Sequence, residues 1–381
     1  MKLLIIVGAR PNFIKVAPLI AELNRLNKLN KAAYCLVHTG QHYDYEMSQV
    51  FFQELKIPKP DYNLGIGSGS HSWQTAKIME KLEPIILKER PDVVVVVGDV
   101  NSTLAGALVA AKLRCSQTSN YPTNQLLSIA HIEAGLRSFD MRMPEEINRL
   151  LTDHISDCLF VTEPAGVKNL LNEGINKEKI YLVGDIMINT LVKSKTKIQK
   201  SKILKKLNLA PKQYAVLTLH RPANVDNPEN LKYLFDIFTE IQKKIKIVFP
   251  VHPRTKSQLS KMFKQAKQVN NLNNLQLVEP LGYIDFLALV SQSKFVLTDS
   301  GGVQEETTFL KIPCLTLREN TERPITIEKG TNVLCGKDRK KILKEVNKIL
   351  NGREEKGQIP KLWDGKTAER IIKILCQTVK D

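Results

Sequence analysis

The stretch Val93–Asp99, VVVVVGD, decides the fold of this 381-residue chain. Its five valines are apolar on every residue, whereas a strand with one face in water alternates apolar and polar side chains. The pattern therefore predicts a central parallel strand covered by helices on both faces. The polar residues that follow it then lie at the carboxyl end of the sheet, where open α/β sheets bind their ligands.

On both sides of this strand, short β-branched runs alternate with amphipathic helical stretches, which predicts an α/β protein. The chain is longer than the roughly 250–300 residues that usually fold around one hydrophobic core. We therefore expect two Rossmann-like, doubly wound parallel-sheet domains. The predicted strands are Leu3–Val7, Ala33–Thr39, Val93–Val97, Ser128–Ile132, Leu159–Thr162, Ala215–Leu219, Lys246–Pro250, Leu275–Val278, Phe295–Thr298, Cys314–Leu317 and Asn332–Leu334. We place the first domain at 1–185 and the second at 186–365, and expect a C-terminal helix within 366–381 to pack back on the first.

Charge and cysteine content narrow the class of protein. A net charge of +17 would suit nucleic-acid binding, but the lysines lie along helical stretches without interleaved aromatic residues, so we expect no nucleic-acid partner. The six cysteines are widely spaced, which favours reduced cytosol over a disulfide framework or a zinc site. No apolar run approaches the roughly 20 residues of a membrane helix. We expect a cytoplasmic protein with no membrane partner and no metal.

A phosphate-type turn follows the predicted strand Phe295–Thr298. Asp299, Ser300, Gly301 and Gly302 open a helix there, so free backbone N–H groups and the helix dipole can meet a phosphate that the glycines allow to approach. A serine-capped tight turn is the alternative interpretation of the same residues. Farther along this helix, Glu306 is placed to accept hydrogen bonds from a ribose diol.

The first strand ends in Gly8–Asn12, GARPN, which is not the GxGxxG of a dinucleotide fold. This difference argues against tightly held NAD, and we expect no cofactor. Arg10 and Lys15 place positive charge at this junction instead, although Lys15 also suits a solvated helix face.

Charged and polar side chains also follow other strands. Asp99 comes after the valine strand, and His220 and His252 follow two strands of the second half, where anion binding and proton transfer compete with purely structural roles. Glu133 ends a strand in an IEAG context, where a carboxylate is costly unless it is used or paired. It belongs to a charged group between a strand and a helix: His131, Glu133, Arg137, Asp140, Arg142, Glu145, Glu146 and Arg149.

Together these segments resemble the non-hydrolysing UDP-N-acetylglucosamine 2-epimerase family over nearly the whole chain. The motifs that carry the resemblance are Gly8–Lys15 (GARPNFIK), Thr39–His42 (TGQH), Gly98–Asp99, Ile132–Arg137 (IEAGLR), Pro144–Arg149 (PEEINR), His220–Arg221, His252–Pro253, Ser300–Glu306 (SGGVQEE) and Thr321–Pro324 (TERP). The resemblance implies GT-B architecture, in which two Rossmann-like domains face a cleft, and an isomerase that forms homodimers.

The resemblance also implies residue roles. Arg10, His252, Ser300, Gly301, Gly302 and Arg323 would hold UDP, with Glu306 on the ribose. Lys15, Asp99, Glu133, Glu145 and His220 would be catalytic, with Arg149 beside them on the sugar. Relatives bind a second UDP-N-acetylglucosamine as an activator, and Gln41, His42 and Gln74 match part of that site. Two positions depart from the family: Ala223 replaces a glutamate, and Trp73 replaces an arginine of some relatives.

The expected reaction inverts C2 of UDP-N-acetylglucosamine through loss of UDP, a 2-acetamidoglucal and re-addition. It needs cations on the departing diphosphate and carboxylates for proton transfer. Asp99, Glu133 and Glu145 are all candidates for the base. An epimerase of a modified UDP-N-acetylhexosamine and a GT-B glycosyltransferase are the alternatives.

Overall fold

The structure is a computed structural model that describes residues 1–28, 32–41, 45–115, 127–251, 253–265 and 273–378. Its contacts divide the chain into two compact units, residues 1–193 with 361–381 and residues 194–360. Each unit has one parallel sheet with helices around it, as the sequence predicts. No helix within the described residues is long and apolar enough to cross a membrane.

The sheet of the first unit has seven parallel strands in the order β3-β2-β1-β4-β5-β6-β7. The strands are β1 Lys2–Val7, β2 Ala33–His38, β3 Tyr62–Asn63, β4 Val93–Val97, β5 Ser128–Ala134, β6 Cys158–Val161 and β7 Ile180–Leu182. The helices are α1 Arg10–Asn27, α2 Tyr45–Leu55, α3 His71–Glu89, α4 Asn101–Cys115, α5 Pro144–Ile155, α6 Pro164–Asn172, α7 Ile186–Lys200 and the C-terminal α16 Thr367–Thr378. A short 3-10 helix, Lys177–Lys179, precedes β7.

The valine strand β4 occupies the middle of this sheet and all five of its side chains are buried. The prediction of a central parallel strand is therefore confirmed. Strands β3 and β7 were not predicted, because they are two and three residues long and lie at the sheet edges, where burial imposes little apolar pattern.

The sheet of the second unit has six parallel strands in the order β10-β9-β8-β11-β12-β13. The strands are β8 Tyr214–Thr218, β9 Lys246–Pro250, β10 Leu275–Val278, β11 Phe295–Thr298, β12 Cys314–Thr316 and β13 Asn332–Leu334. The helices are α8 Ile203–Lys206, α9 Pro222–Val225, α10 Pro228–Ile241, α11 Pro253–Gln265, α12 Tyr283–Ser291, α13 Gly301–Leu310, α14 Ile325–Glu328 and α15 Arg339–Leu350.

The two units divide within α7, between Lys193 and Ser194, whereas the predicted boundary is 185/186. The first turns of α7 belong to the first unit because Thr190 donates to the carbonyl of Ile14 at 2.6 Å. The Asn189 carboxamide oxygen also accepts the backbone N–H of Thr367 at 2.7 Å, which anchors the start of α16. Helix α16 then packs against α1 of the same unit.

In both sheets the strand order reverses direction between two neighbouring strands. The reversal falls between β1 and β4 in the first unit and between β8 and β11 in the second. Such a switch point leaves a crevice outside the carboxyl ends of the two strands, and open α/β sheets bind ligands there. The predicted site residues are therefore described at these two edges, one unit at a time.

Candidate active site

At the switch point of the first unit, the turn after β1 is tied to the end of β4. The Asn12 side chain accepts the N–H groups of Gly8 and Ala9 at 3.0 Å and donates to the carbonyl of Val97 at 2.9 Å. Gly8 is required because a Cβ here would lie 2.0 Å from Oγ of Ser102. The GARPN segment therefore packs the end of β1 closely against the start of α4 and leads into α1.

Lys15 and Glu133 form a buried ion pair between Nζ and Oε2 at this edge. Glu133 has a left-handed backbone with φ of +73°, at a bulge in the pairing of β5 with β6. Gly98 has φ of +69°, and a Cβ there would lie 3.2 Å from Nζ of Lys15. The ion pair offsets the cost of a buried carboxylate that the IEAG context indicates. Lys15 is consequently not a solvated helix residue.

Asp99 follows Gly98 in the same turn and is bound by Arg149 of α5. Nη1 of Arg149 is 2.5 Å from Oδ2 of Asp99, and its Nη2 is 2.5 Å from Oε2 of Glu146. The Asp99 side chain keeps 30% of its surface exposed, whereas those of Arg149 and Glu146 are almost fully buried. Asp99 is therefore the member of this group that a ligand can reach.

Glu145 and Glu146 are adjacent in sequence but differ in environment. Glu145 is half-buried in the first turn of α5, while Glu146 accepts the N–H groups of Ser138 and Phe139 at 3.0 and 2.8 Å. Burial alone would favour neutral Glu146, but these donors and Arg149 hold the pKa of its carboxyl below the ordinary value. Glu146 thus orients Arg149 and the 138–139 backbone.

The expected activator residues lie in a hydrogen-bonded network next to Asp99. Oε1 of Gln41 accepts from the backbone and hydroxyl of Ser102 at 3.1 and 2.7 Å. The Gln74 amide donates to the carbonyl of Gln41 and accepts from Asn101. Both glutamines are buried. Their role in binding an activator stays a prediction, and His42 lies outside the described residues.

Arg10 begins α1 and is half-buried. Its guanidinium lies 5.8 Å from the centre of the Phe51 ring, a distance at which cation–π attraction acts. Arg10, which is predicted to bind the diphosphate, therefore lies at the N-terminus of α1, next to the switch-point strand β1.

At the switch point of the second unit, Asp299 is structural. Its fully buried carboxylate accepts the N–H groups of His220 and Arg221 and the side-chain amide of Asn224, and lies 2.9 Å from Nδ1 of His220. Burial opposes ionisation, but His220 and these donors hold the pKa of Asp299 below its ordinary value. The His220 ring remains 38% exposed, so Asp299 orients an accessible imidazole. His252 lies outside the described residues.

Helix α13 begins at Gly301, and Arg323 lies over its N-terminus. Ser300 occupies the N-cap position without a side-chain cap hydrogen bond. A Cβ on Gly301 would lie 2.4 Å from Nη1 of Arg323. The helix N-terminus and the guanidinium are both positive, so their proximity favours an anion that binds both. Ser300 thus does not cap α13 through its side chain, and the phosphate site stays a prediction.

Buried carboxylates surround this N-terminus. Glu305 pairs with Nε of Arg323 at 2.6 Å, and Glu322 lies 3.5 Å from its Nη1. Burial, together with the neighbouring Glu305, raises the pKa of Glu306 to about 8, although a hydrogen bond from Tyr283 lowers it. A carboxyl that keeps its proton at neutral pH both donates and accepts hydrogen bonds, which suits a ribose diol. No cluster of metal-ligating side chains occurs in the described part of the chain.

Comparison with known proteins gives consistent results. The family model for UDP-N-acetylglucosamine 2-epimerase matches residues 24–376. The UDP-N-acetylglucosamine 2-epimerase homolog of Methanococcus maripaludis is 47% identical over 98% of this chain and 99% of that protein. The UDP-2,3-diacetamido-2,3-dideoxy-D-glucuronate 2-epimerase of Pseudomonas aeruginosa is 40% identical over 99% of this chain and 100% of that protein.

A solved structure is similar over the same span. The UDP-GlcNAc 2-epimerase of Methanocaldococcus jannaschii, crystallised with UDP-GlcNAc and UDP, superposes with a TM-score of 0.86 at 44% identity. The match covers 99% of this chain and 100% of that one. The sequence comparison and the structural comparison therefore both match this chain over nearly its whole length.

Proposed function

The chain belongs to the UDP-N-acetylglucosamine 2-epimerase family, and from this premise we propose that it interconverts UDP-N-acetylglucosamine and UDP-N-acetylmannosamine. The observation that carries the proposal is the group at the first switch point. Lys15, paired with Glu133, lies against Gly98, and the accessible carboxylate of Asp99 follows Gly98 in the same turn. A nucleotide-binding domain alone needs no such carboxylates, whereas epimerisation at carbon needs groups that remove and return a proton.

The chemistry begins with cleavage of the C1–O bond. Its electron pair leaves with UDP, and the positive charge that develops at C1 makes the C2 proton acidic. A carboxylate takes this proton, and the C–H electrons form the C1=C2 double bond of a 2-acetamidoglucal. A proton then returns to the opposite face of C2, and a UDP oxygen re-forms the bond to C1, so C2 is inverted with no net oxidation or reduction.

In this proposal the first unit supplies the groups for the sugar. Asp99, Glu133 and Glu145 carry out proton transfer and stabilise the positive charge, with Lys15 paired to Glu133. Arg149 contacts the sugar and holds Asp99. Carboxylates positioned for general acid–base catalysis contribute about 10²–10⁴-fold to a rate.

The second unit supplies most of the groups for UDP. The N-terminus of α13 at Ser300, Gly301 and Gly302 binds the diphosphate together with Arg323, and Glu306 binds the ribose. His220 acts on the leaving diphosphate oxygen, and Arg10 and His252 add positive charge. Cations on the departing diphosphate stabilise the charge that develops there.

We extend the proposal to the protein's setting. The product would supply activated N-acetylmannosamine for surface polysaccharide or glycan synthesis. The enzyme would act in the cytoplasm as a homodimer. Gln41, His42 and Gln74 would contact a second UDP-N-acetylglucosamine that activates it.

A second candidate substrate is UDP-2,3-diacetamido-2,3-dideoxy-D-glucuronate, because a relative named for that substrate is 40% identical to this chain. One observation favours the simpler sugar: the M. jannaschii structure, 44% identical to this chain, contains UDP-GlcNAc. The same fold would also serve a glycosyltransferase, which needs an acceptor.

One experiment separates these functions. The protein is incubated in D2O with UDP-N-acetylglucosamine alone, or with the diacetamidoglucuronate derivative alone, and the products are followed by NMR. We expect UDP-N-acetylmannosamine carrying deuterium at C2 from the first substrate. Exchange with only the uronate would establish the second candidate, and no exchange with either, but sugar transfer after an acceptor is added, would contradict epimerisation.

A further inference from the structure

A buried histidine and a buried aspartate lie directly behind the proposed catalytic carboxylates. His131 in β5 and Asp153 in α5 have almost no exposed surface. Nδ1 of His131 is 2.6 Å from Oδ1 of Asp153, and Nε2 is 2.8 Å from the carbonyl oxygen of Gly98. The proposed chemistry assigns no role to either residue.

Both ring nitrogens of His131 have a fixed partner. A carbonyl oxygen only accepts hydrogen bonds, so Nε2 donates to the carbonyl of Gly98. Nδ1 lies against the carboxylate of Asp153. Burial opposes ionisation of Asp153, but His131 and Arg137 hold the pKa of Asp153 below its ordinary value. Arg137 pairs with the other Asp153 oxygen at 2.7 Å and with Glu173.

The His131 ring helps to fix the turn from which Asp99 projects. Three consecutive carbonyls of this turn accept hydrogen bonds from side chains: Val97 from Asn12 at 2.9 Å, Gly98 from His131 at 2.8 Å and Asp99 from Asn148 at 2.9 Å. Gly98, in the middle, has a left-handed backbone. The bond from His131 thus holds the peptide that precedes Asp99.

Asp153 also fixes the backbone around Glu133. Its Oδ1 binds the His131 ring, and its Oδ2 accepts the N–H of Gly135 at 3.0 Å. These two partners lie two residues before and two residues after Glu133, whose left-handed conformation is costly for a residue with a side chain. One carboxylate therefore spans the bulge that directs Glu133 toward Lys15.

We propose that His131, held between Asp153 and the carbonyl of Gly98, is a positioning residue that sets the geometry of both Asp99 and Glu133. The inference rests on the proposed function, since it concerns the carboxylates of that reaction. His131 itself is buried and does not touch substrate. It acts through the Gly98 carbonyl on one side and through Asp153 and the β5 bulge on the other.

The test compares two amide replacements of the same ring. The glutamine amide nitrogen superposes on Nε2 and retains the bond to Gly98, whereas that of asparagine superposes on Nδ1 and loses it. We expect His131→Asn to lower kcat for C2 deuterium exchange by about 100-fold, the effect of misplacing catalytic groups by about 1 Å. His131→Gln should lower kcat by only about tenfold, because the bond to the Gly98 carbonyl is kept while the bond to the Asp153 carboxylate is lost.

The KM for UDP-N-acetylglucosamine should change by less than about threefold in both variants, because the displaced groups act mainly in the transition state. His154→Gln is the matched control. His154 lies on α5 one residue after Asp153, but it is exposed and its ring hydrogen-bonds to the carbonyl of Leu150 in the same helix. It should keep wild-type kcat.

The outcomes are distinct. A wild-type protein that exchanges no deuterium with either UDP-sugar contradicts the proposed function, whereas an active wild type with full kcat in His131→Asn overturns this inference. If His131→Asn does not fold, nitrogen-15 NMR of the wild-type histidines decides. A proton on Nε2 of His131 at pH 7, which the bond to the Gly98 carbonyl requires, supports the inference, and an unprotonated Nε2 overturns it.

Discussion

The two switch points share one topology but present their aspartates differently. Asp99 and Asp299 each follow a central strand beside the first strand of their sheet. Gly98, in a left-handed conformation, precedes Asp99, and the Asp99 side chain is 30% exposed. Thr298 precedes Asp299 directly, and that side chain is fully buried. One glycine therefore separates an aspartate available to a ligand from one that holds the neighbouring loop.

The surroundings of the two edges differ in the same way. At the first edge, Glu133 pairs with Lys15 and Asp99 pairs with Arg149. The second edge places Arg323 over a helix N-terminus and keeps Glu306 protonated near neutral pH. The first edge is suited to proton transfer, and the second to an anion and a diol. Substitutions at both edges test this contrast.

The largest expected effect is that of Asp99→Asn. The amide cannot act as a base, so C2 deuterium exchange should fall by about 10²–10⁴-fold. UDP affinity, measured by calorimetric titration, should stay unchanged because the UDP groups are mainly those of the second unit. Asp299→Asn should instead lower the melting temperature, because Asp299 accepts the hydrogen bonds that hold His220, Arg221 and Asn224.

Asp140→Asn is the control for Asp99→Asn, because Asp140 pairs with the exposed Arg142. This variant should exchange deuterium at C2 at the wild-type rate. Full exchange by Asp99→Asn would contradict the contrast between the two aspartates.

The next effect concerns the guanidinium over α13. Arg323→Met should weaken UDP binding by about 10- to 150-fold, the value of a charge-assisted hydrogen bond of about 1.5–3 kcal/mol. The variant is made together with Glu305→Gln, so that no buried carboxylate is left unpaired, and UDP affinity is measured by titration. Glu305→Gln alone is the control, because it retains Arg323. Equal UDP affinities in the single and double variants would remove Arg323 from the proposed site.

The smallest effect is on the pH dependence of stability. The folded protein holds the Glu306 proton up to a pKa of about 8, whereas the unfolded chain releases it near the ordinary pKa of 4.5. The native state binds more protons between these values, so this group's contribution to stability falls as pH rises, by at most about 1.4 kcal/mol per pH unit.

Glu306→Gln should remove this fall, which is measured as the melting temperature of the UDP-free protein at pH 6 and pH 7. Glu80→Gln, which alters an exposed pair with Lys77, should leave the wild-type slope. An unchanged slope in Glu306→Gln would show that Glu306 is ionised in the folded state.

Much of the fold could be predicted because its signals are local. Val93–Val97 reads as a covered parallel strand from five residues, and Phe295–Gly302 reads as a strand running into a glycine-rich helix start. The edge strands β3 and β7 were missed because so few of their residues face a core. The prediction that Glu133 must be used or paired was confirmed by its pairing with Lys15, but the sequence did not identify the partner.

What the sequence determined by itself is the order of strands and helices and which residue types follow each strand, because apolar periodicity and glycine content act within a few residues. Only the tertiary structure decided which charges meet. It joined Arg149 to Asp99 across 50 residues and His131 to Gly98 across 33, made Asp299 structural and Asp99 accessible, and kept a proton on Glu306. Hydrogen bonding and ionisation depend on burial and on neighbours in space, and folding alone brings those neighbours together.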